Sequence, residues 1–186
     1  RNAGGREVDT SDCVEPNPTG KHVAAGVEKL RALGDAVVVA LGGGSSMDCA
    51  KAIALLVHND GHPRDYGYGC KPQKPGAPVV AIPTTSGTGS DPSVQPRVAV
   101  LDPKLTVGLP PYPTATCGFD VLTHAIEAYT SRVANPYTDG IAIQAIRMAW
   151  THLPTAFKDG SDIEARSQLL PASPMAAVAL SGRGPG

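Results

Sequence analysis

At 186 residues, with 41% hydrophobic and 18% charged side chains and a formal net charge of −1, the chain reads as one large globular domain or two small ones. No long basic stripe is present, which argues against nucleic acid or an anionic membrane surface as partner, and no apolar run is long enough to span a bilayer. Cys13, Cys49, Cys70 and Cys117 are widely spread with no C-x-x-C pair, which disfavours a thiolate zinc site or redox motif and fits free thiols in a reducing cytoplasm. The polar start Arg1-Asn2-Ala3-Gly4-Gly5, without Met, is unlike a signal peptide and fits a fragment or a processed chain.

The opening to about Thr19 is polar, with Pro16 and Pro18, and predicts loop or weak strand. Val23, Val27, Leu30 and Leu33 recur at helical spacing and predict a helix over Lys21–Leu33, stopped by Gly34. Ala36-Val37-Val38-Val39-Ala40-Leu41 is a continuous run rich in valine, and a strand apolar on both faces implies a parallel sheet covered by helices on each side. A second helix is expected from Ser46 to about Val57, then a loop rich in Gly, Pro and Asp from His58 to Ala77. Pro78–Pro83 predicts a second buried strand and Val98–Leu101 a short third one. This is the alternation of an α/β domain. Beyond about Pro113 the pattern becomes helical, over Asp120–Tyr129, Asp139–Trp150 and Ile163 to about Leu180.

Three segments carry possible chemistry. Gly42-Gly43-Gly44-Ser45-Ser46 lies between a strand and a helix. Glycines there let an anion approach the backbone, and the helix start offers free N–H groups and a positive dipole end, a combination that favours phosphate. Ser45 and Ser46 can cap the helix or donate to phosphate, Asp48 suits the first turn, and Lys51 can reach a phosphate or pair with Asp48. The alternative is a tight strand-to-helix turn that binds nothing, since the loop matches neither the G-x-G-x-x-G fingerprint nor a Walker A loop. Thr84-Thr85-Ser86-Gly87-Thr88-Gly89-Ser90 follows the second strand and puts hydroxyls where ligands bind in open α/β sheets. Alone it reads as a solvated loop; the two loops together favour a nucleotide.

Asp120 and His124 stand four residues apart, so on a helix they share a face about 6 Å apart along the axis. Oxygen with nitrogen ligation suits Fe2+, Zn2+ or Mn2+ better than Ca2+ or Mg2+. The competing reading makes Asp120 the helix N-cap and His124 a core histidine. Two ligands also fall short of the three that a catalytic metal usually takes. His58 and His62 are broken by Gly61 and Pro63 and read as solvated loop; His22 and His152 have no partner nearby in sequence.

Taken together these segments resemble the iron-containing (group III, metal-dependent) alcohol dehydrogenases. Gly42–Lys51 resembles the family's G-G-G-S-x-x-D-x-x-K segment, Pro83–Ser90 its P-T-T-x-G-T-G-S loop, and Gly118–Tyr129 its G-x-D-A-L-x-H-A-x-E-x-Y helix; Glu15–Thr19 and Leu101–Lys104 also fit. The order is kept over most of the chain, to about Ala177. The resemblance implies an α/β fold of dehydroquinate synthase type: a partial Rossmann-like parallel-sheet dinucleotide-binding domain over 1–112, then a partial all-helical metal-binding domain over 113–186, with the site in the cleft between them. It implies an oxidoreductase moving hydride between NAD or NADP and a small alcohol or aldehyde, with a divalent metal (Fe2+, alternatively Zn2+ or Mn2+) polarising the alcohol oxygen. The implied cofactor-binding residues are Asn17, Gly43, Gly44, Ser45, Thr84, Thr85 and Thr88. Asp120 and His124 are implied as two of four metal ligands, with no catalytic side chain named beyond them. It also implies a homo-oligomer in full-length form. The family's other two ligands are later histidines, and here no histidine follows His152; the segment between Ser93 and Arg97 is also shorter than the family's. The expectation is therefore a partial chain. An inert nucleotide-binding remnant of the family and a glycerol dehydrogenase-type relative remain as alternatives.

Overall fold

A computed structural model describes residues 2–3, 6–12, 14–66, 72–87 and 95–182. Packing divides the chain into two compact units, Arg1–Ala81 with Ser93–Ala99, and Ile82–Pro92 with Val100–Gly186.

In the first unit, a short antiparallel pair, β1 (Asn2–Ala3) and β2 (Arg6–Glu7), stands where the polar opening suggested loop or weak strand. Helix α1 (Gly20–Leu33) buries Val23, Val27 and Leu30, the stripe expected from spacing. His22 has a local role that spacing did not suggest: its Nδ1 accepts the Thr19 backbone N–H at 3.0 Å, satisfying a donor at the helix start. Gly34 ends the helix at φ 73°, where a side chain would be strained. β3 (Val38–Gly42), β4 (Val79–Pro83) and β5 (Val98–Ala99) form a parallel three-stranded sheet in the order β3–β4–β5, with Val80 opposite Val98.

One face of the sheet, through Ala40, Val79 and Ala81, packs with α1 and with Met47, Ala50, Ile53 and Ala54 of helix α2 (Gly44–Leu56) in a single core. The two helices touch at Gly26, where an added Cβ would meet Ile53 Cδ1. The expectation of a sheet covered on both faces needs correcting. Val39 and Leu41 are each 60% exposed, because α1 and α2 both pack on the face carrying Ala40. The 58–77 loop is tied down by Asn59, a buried side chain whose amide donates to Leu55 O and Lys74 O and whose oxygen accepts the Lys74 N–H. His58 and His62 spend their Nδ1 atoms on loop backbone, at Pro75 O and the Arg64 N–H.

The second unit is built on three helices, α3 (Pro111–Thr130), α4 (Pro136–Lys158) and α5 (Ile163–Leu180). α3 and α4 begin earlier than hydrophobic spacing alone suggested. Pro111 and Pro136 each open a helix, where a missing N–H costs nothing. Asn135 caps α4 through the N–H groups of Tyr137 and Thr138, and Asp162 caps α5 through that of Ala165. The shared core is alanine-rich: Ala125, Ala145, Ala149, Ala156, Ala172 and Ala176 surround Val121, Leu122, Leu153 and Leu169. Small residues let helix backbones approach, most closely at Gly118, where an added Cβ would lie 2.3 Å from Leu153 Cδ1. Among the described residues no helix is long and apolar enough to cross a membrane.

Candidate functional site

Within the first unit, the glycine segment is tighter than expected. β3 ends at Gly42 and α2 begins at Gly44, two residues before the predicted start, so Gly43 alone bridges strand and helix and serves as N-cap. Gly43 has no side chain to cap with. The first-turn N–H groups at Gly44, Ser45 and Ser46 are therefore available to an anion at the positive end of the helix dipole. Asp48 falls beyond the first turn, contrary to the expectation, because the helix starts earlier. Gly42 must be glycine: its φ is 142°, and a Cβ there would lie 2.5 Å from Ser46 Oγ.

Ser45 Oγ accepts the Asn17 backbone N–H at 3.4 Å, so the structure brings together two of the residues singled out for the cofactor. Asn17 adopts φ 58°, a conformation that asparagine tolerates better than most residues. The same unit contains a cavity of about 460 Å3 lined by α1, α2, β3 and the Asp9–Asp12 segment. It includes Ser46 but not Gly43, Gly44 or Ser45.

Within the second unit, the described part of the threonine-glycine loop, Thr84–Gly87, packs on α3. Thr88 and the rest of that loop lie outside the described residues. The Thr85 hydroxyl lies beside the Cys117 thiol. Burial first, and then the charge of Asp120, push the Cys117 thiol up from its ordinary value, while the Thr85 contact pulls it down; the net direction is upward. The thiol is therefore protonated at neutral pH and is not a thiolate nucleophile. Ser86 Oγ is buried with no hydrogen-bond partner among the described residues, a costly arrangement unless a ligand or water completes it.

One turn beyond Cys117 on α3 stand Asp120 and His124. Asp120 is the tenth residue of the helix, so the reading of it as N-cap is corrected: α3 starts at Pro111, and the carboxylate lies in mid-helix. Its Oδ1 lies 3.7 Å from His124 Nε2, with the side chains 34% and 24% exposed. His124 is thus not a sequestered core histidine.

The pair fits a shared divalent ion. Two ligands at about 2.1 Å from one ion, subtending 90–110°, lie roughly 3.0–3.4 Å apart, and small χ adjustments cover the difference from 3.7 Å. Among the described residues no group of three or more His, Cys, Asp or Glu side chains converges, so the described residues offer two ligands there.

Residues 2–102 match the family described as iron-containing alcohol dehydrogenase, and residues 114–186 match its C-terminal part. The chain belongs to the iron-containing alcohol dehydrogenase family. It is similar to the NAD-dependent methanol dehydrogenase of Bacillus methanolicus, 39% identical over 98% of this chain and 53% of that protein. It is also similar to alcohol dehydrogenase 4 of Saccharomyces cerevisiae (strain YJM789), 40% identical over 95% and 52%.

Among solved structures, 1,3-propanediol oxidoreductase matches with TM-score 0.86 and 36% identity, over 94% of this chain and 51% of that one. The sulfoacetaldehyde reductase of Bifidobacterium kashiwanohense in complex with NAD+ matches with TM-score 0.81 and 34% identity, over 90% and 50%. The chain spans about half the length of the curated relatives it matches.

Proposed function

We propose that this chain forms part of an oxidoreductase that moves hydride between NAD or NADP and a small alcohol or aldehyde. In this reading, residues 1–112 bind the dinucleotide and 113–186 bind the metal. The observation that carries it is local to the second unit. Asp120 and His124 present oxygen and nitrogen 3.7 Å apart on one accessible face of α3, and the Thr84–Gly87 turn is fastened to the same helix one turn earlier.

The first-turn N–H groups beside Gly43 and Gly44 receive the cofactor's phosphates, with the Ser45 hydroxyl and Asn17 beside them. Thr84, Thr85 and Thr88 supply hydroxyls to the same cofactor. The Asp120 carboxylate and the His124 imidazole would hold the cation, Fe2+ by the family's description, with Zn2+ or Mn2+ as substitutes. When bound, such an ion supplies Lewis acidity that lowers the pKa of an alcohol oxygen. The methanol dehydrogenase and propanediol oxidoreductase among the relatives support a short alcohol as substrate. Cys49 and Cys117 as free thiols support a cytoplasmic setting. A homo-oligomer remains part of the proposal.

The test is aldehyde-dependent oxidation of NADH and NADPH by the purified full chain. Activity should appear with Fe2+, disappear on chelation and return on reloading. No turnover with Fe2+, Zn2+ or Mn2+ and short aldehydes would overturn the dehydrogenase reading in favour of an inert nucleotide-binding protein.

A further inference from the structure

The Thr84–Gly87 turn is gripped from two sides within the second unit. On the α3 side, a Cβ at Gly87 would lie 2.5 Å from Cys117 Cβ and 2.6 Å from Cys117 Cα. The turn therefore rests on the helix with no room for a side chain, and the Thr85 hydroxyl lies beside the thiol of the same residue. On the α5 side, Ser173 Oγ donates to the Gly87 carbonyl at 2.6 Å. Ser173 is buried, 7% exposed.

A serine inside a helix ordinarily returns its hydroxyl to a carbonyl three or four residues back. Ser167 does so in this helix, to Glu164 O, and Ser181 just past its end does so to Val178 O. Ser173 does not: its hydroxyl crosses 86 residues of sequence to the turn. A buried hydroxyl committed to a distant carbonyl fixes the orientation of that peptide. That peptide closes the segment that carries Thr84, Thr85 and the Ser86 hydroxyl, which has no partner among the described residues, beside Cys117 and Asp120.

We propose that Ser173 is a positioning residue for the nicotinamide cofactor, holding the Gly87 carbonyl so that the Thr84 and Thr85 hydroxyls face the cofactor rather than solvent. This inference rests on the cofactor reading of that turn. Ser173 does not touch the cofactor; it acts through the peptide it holds. A purely structural Ser173 would cost thermal stability and leave cofactor affinity alone. A positioning Ser173 changes affinity for the cofactor and spares the metal pair on α3.

The test measures NADH and NADPH binding by calorimetry on the full chain, metal-stripped and metal-loaded, with melting temperature and metal content alongside. Ser173→Ala is expected to weaken cofactor binding by about five- to tenfold, the effect of losing one buried hydrogen bond. Metal stoichiometry and the KM for aldehyde should stay unchanged. Ser173→Thr, which keeps the hydroxyl, should restore most of the affinity. Ser173→Cys keeps the volume with a weak donor; it should fall between the two and replaces Ser173→Ala if that variant does not fold. If wild type binds either cofactor and the variants bind it equally well, Ser173 is structural and the inference is overturned. If wild type binds neither, the cofactor reading itself has failed and the inference falls with it.

Discussion

Asp120→Ala is expected to strip the metal and lower turnover by more than about 100-fold, with little change in melting temperature. Losing a carboxylate ligand removes both an anionic donor and one of the two donors that α3 presents. That loss should exceed the 10–100-fold typical when only a residue hydrogen-bonded to a ligand is changed. The side chain is a third exposed and sits in mid-helix, away from the helix ends. His124→Ala should behave the same way. The double substitution should be hardly worse than either single one, because both groups act through one ion. Metal content by atomic absorption, measured beside kcat, checks this. Unchanged stoichiometry in Asp120→Ala would remove the residue from the site.

Arg166→Ala is expected to cost about 3–5 kcal/mol of stability, enough to unfold a marginal domain. Arg166 lies at the start of α5 and is 1% exposed. Its Nε donates to Gly160 O at 3.1 Å, one guanidinium nitrogen to Thr114 Oγ1 at 2.9 Å, and the other to Leu109 O at 3.1 Å. One side chain thereby ties the turn before α5, the first turns of α3 and the segment leading into α3. All three acceptors are neutral, and burial pulls the guanidinium's pKa down without removing its charge at neutral pH. Removal takes the guanidinium donor from Gly160 O, leaves Leu109 O with only the 3.4 Å bond from the Thr114 hydroxyl, and opens a cavity where the side chain lay. Urea unfolding followed by circular dichroism checks the magnitude. A loss below about 1 kcal/mol would show that water replaces the guanidinium at little cost.

Much of this architecture was legible from spacing. The α1 stripe follows directly from apolar periodicity and the two longer strands from their continuous apolar runs, and the span of α5 matches the expectation. Helix starts are less legible, because hydrophobic spacing does not report a proline-led first turn. Pro111 and Pro113 occupy the first turn of α3 and Pro136 opens α4, positions where a missing N–H is harmless. With α3 extending back to Pro111, the Asp120 carboxylate lies in mid-helix beside His124 and not at a cap. The second, exposed face of β3 was also misjudged. A run of valines is equally compatible with one covered face or two.

The Asp120–His124 pair was visible because its geometry is set by a helix turn. The Ser173–Gly87 bond, the Thr85–Cys117 contact and the Arg166 anchor were not. Each joins segments far apart in sequence, and no local pattern reports such a contact. The only hint was chemical: a serine and an arginine embedded among helical alanines and leucines must find partners somewhere.

Anomalous diffraction at the iron edge, from crystals of the full chain loaded with Fe2+, tests the metal assignment most directly. The account predicts one strong peak about 2.2 Å from both an Asp120 carboxylate oxygen and His124 Nε2. A fully loaded, active protein whose iron peak lies away from that face of α3 would contradict it.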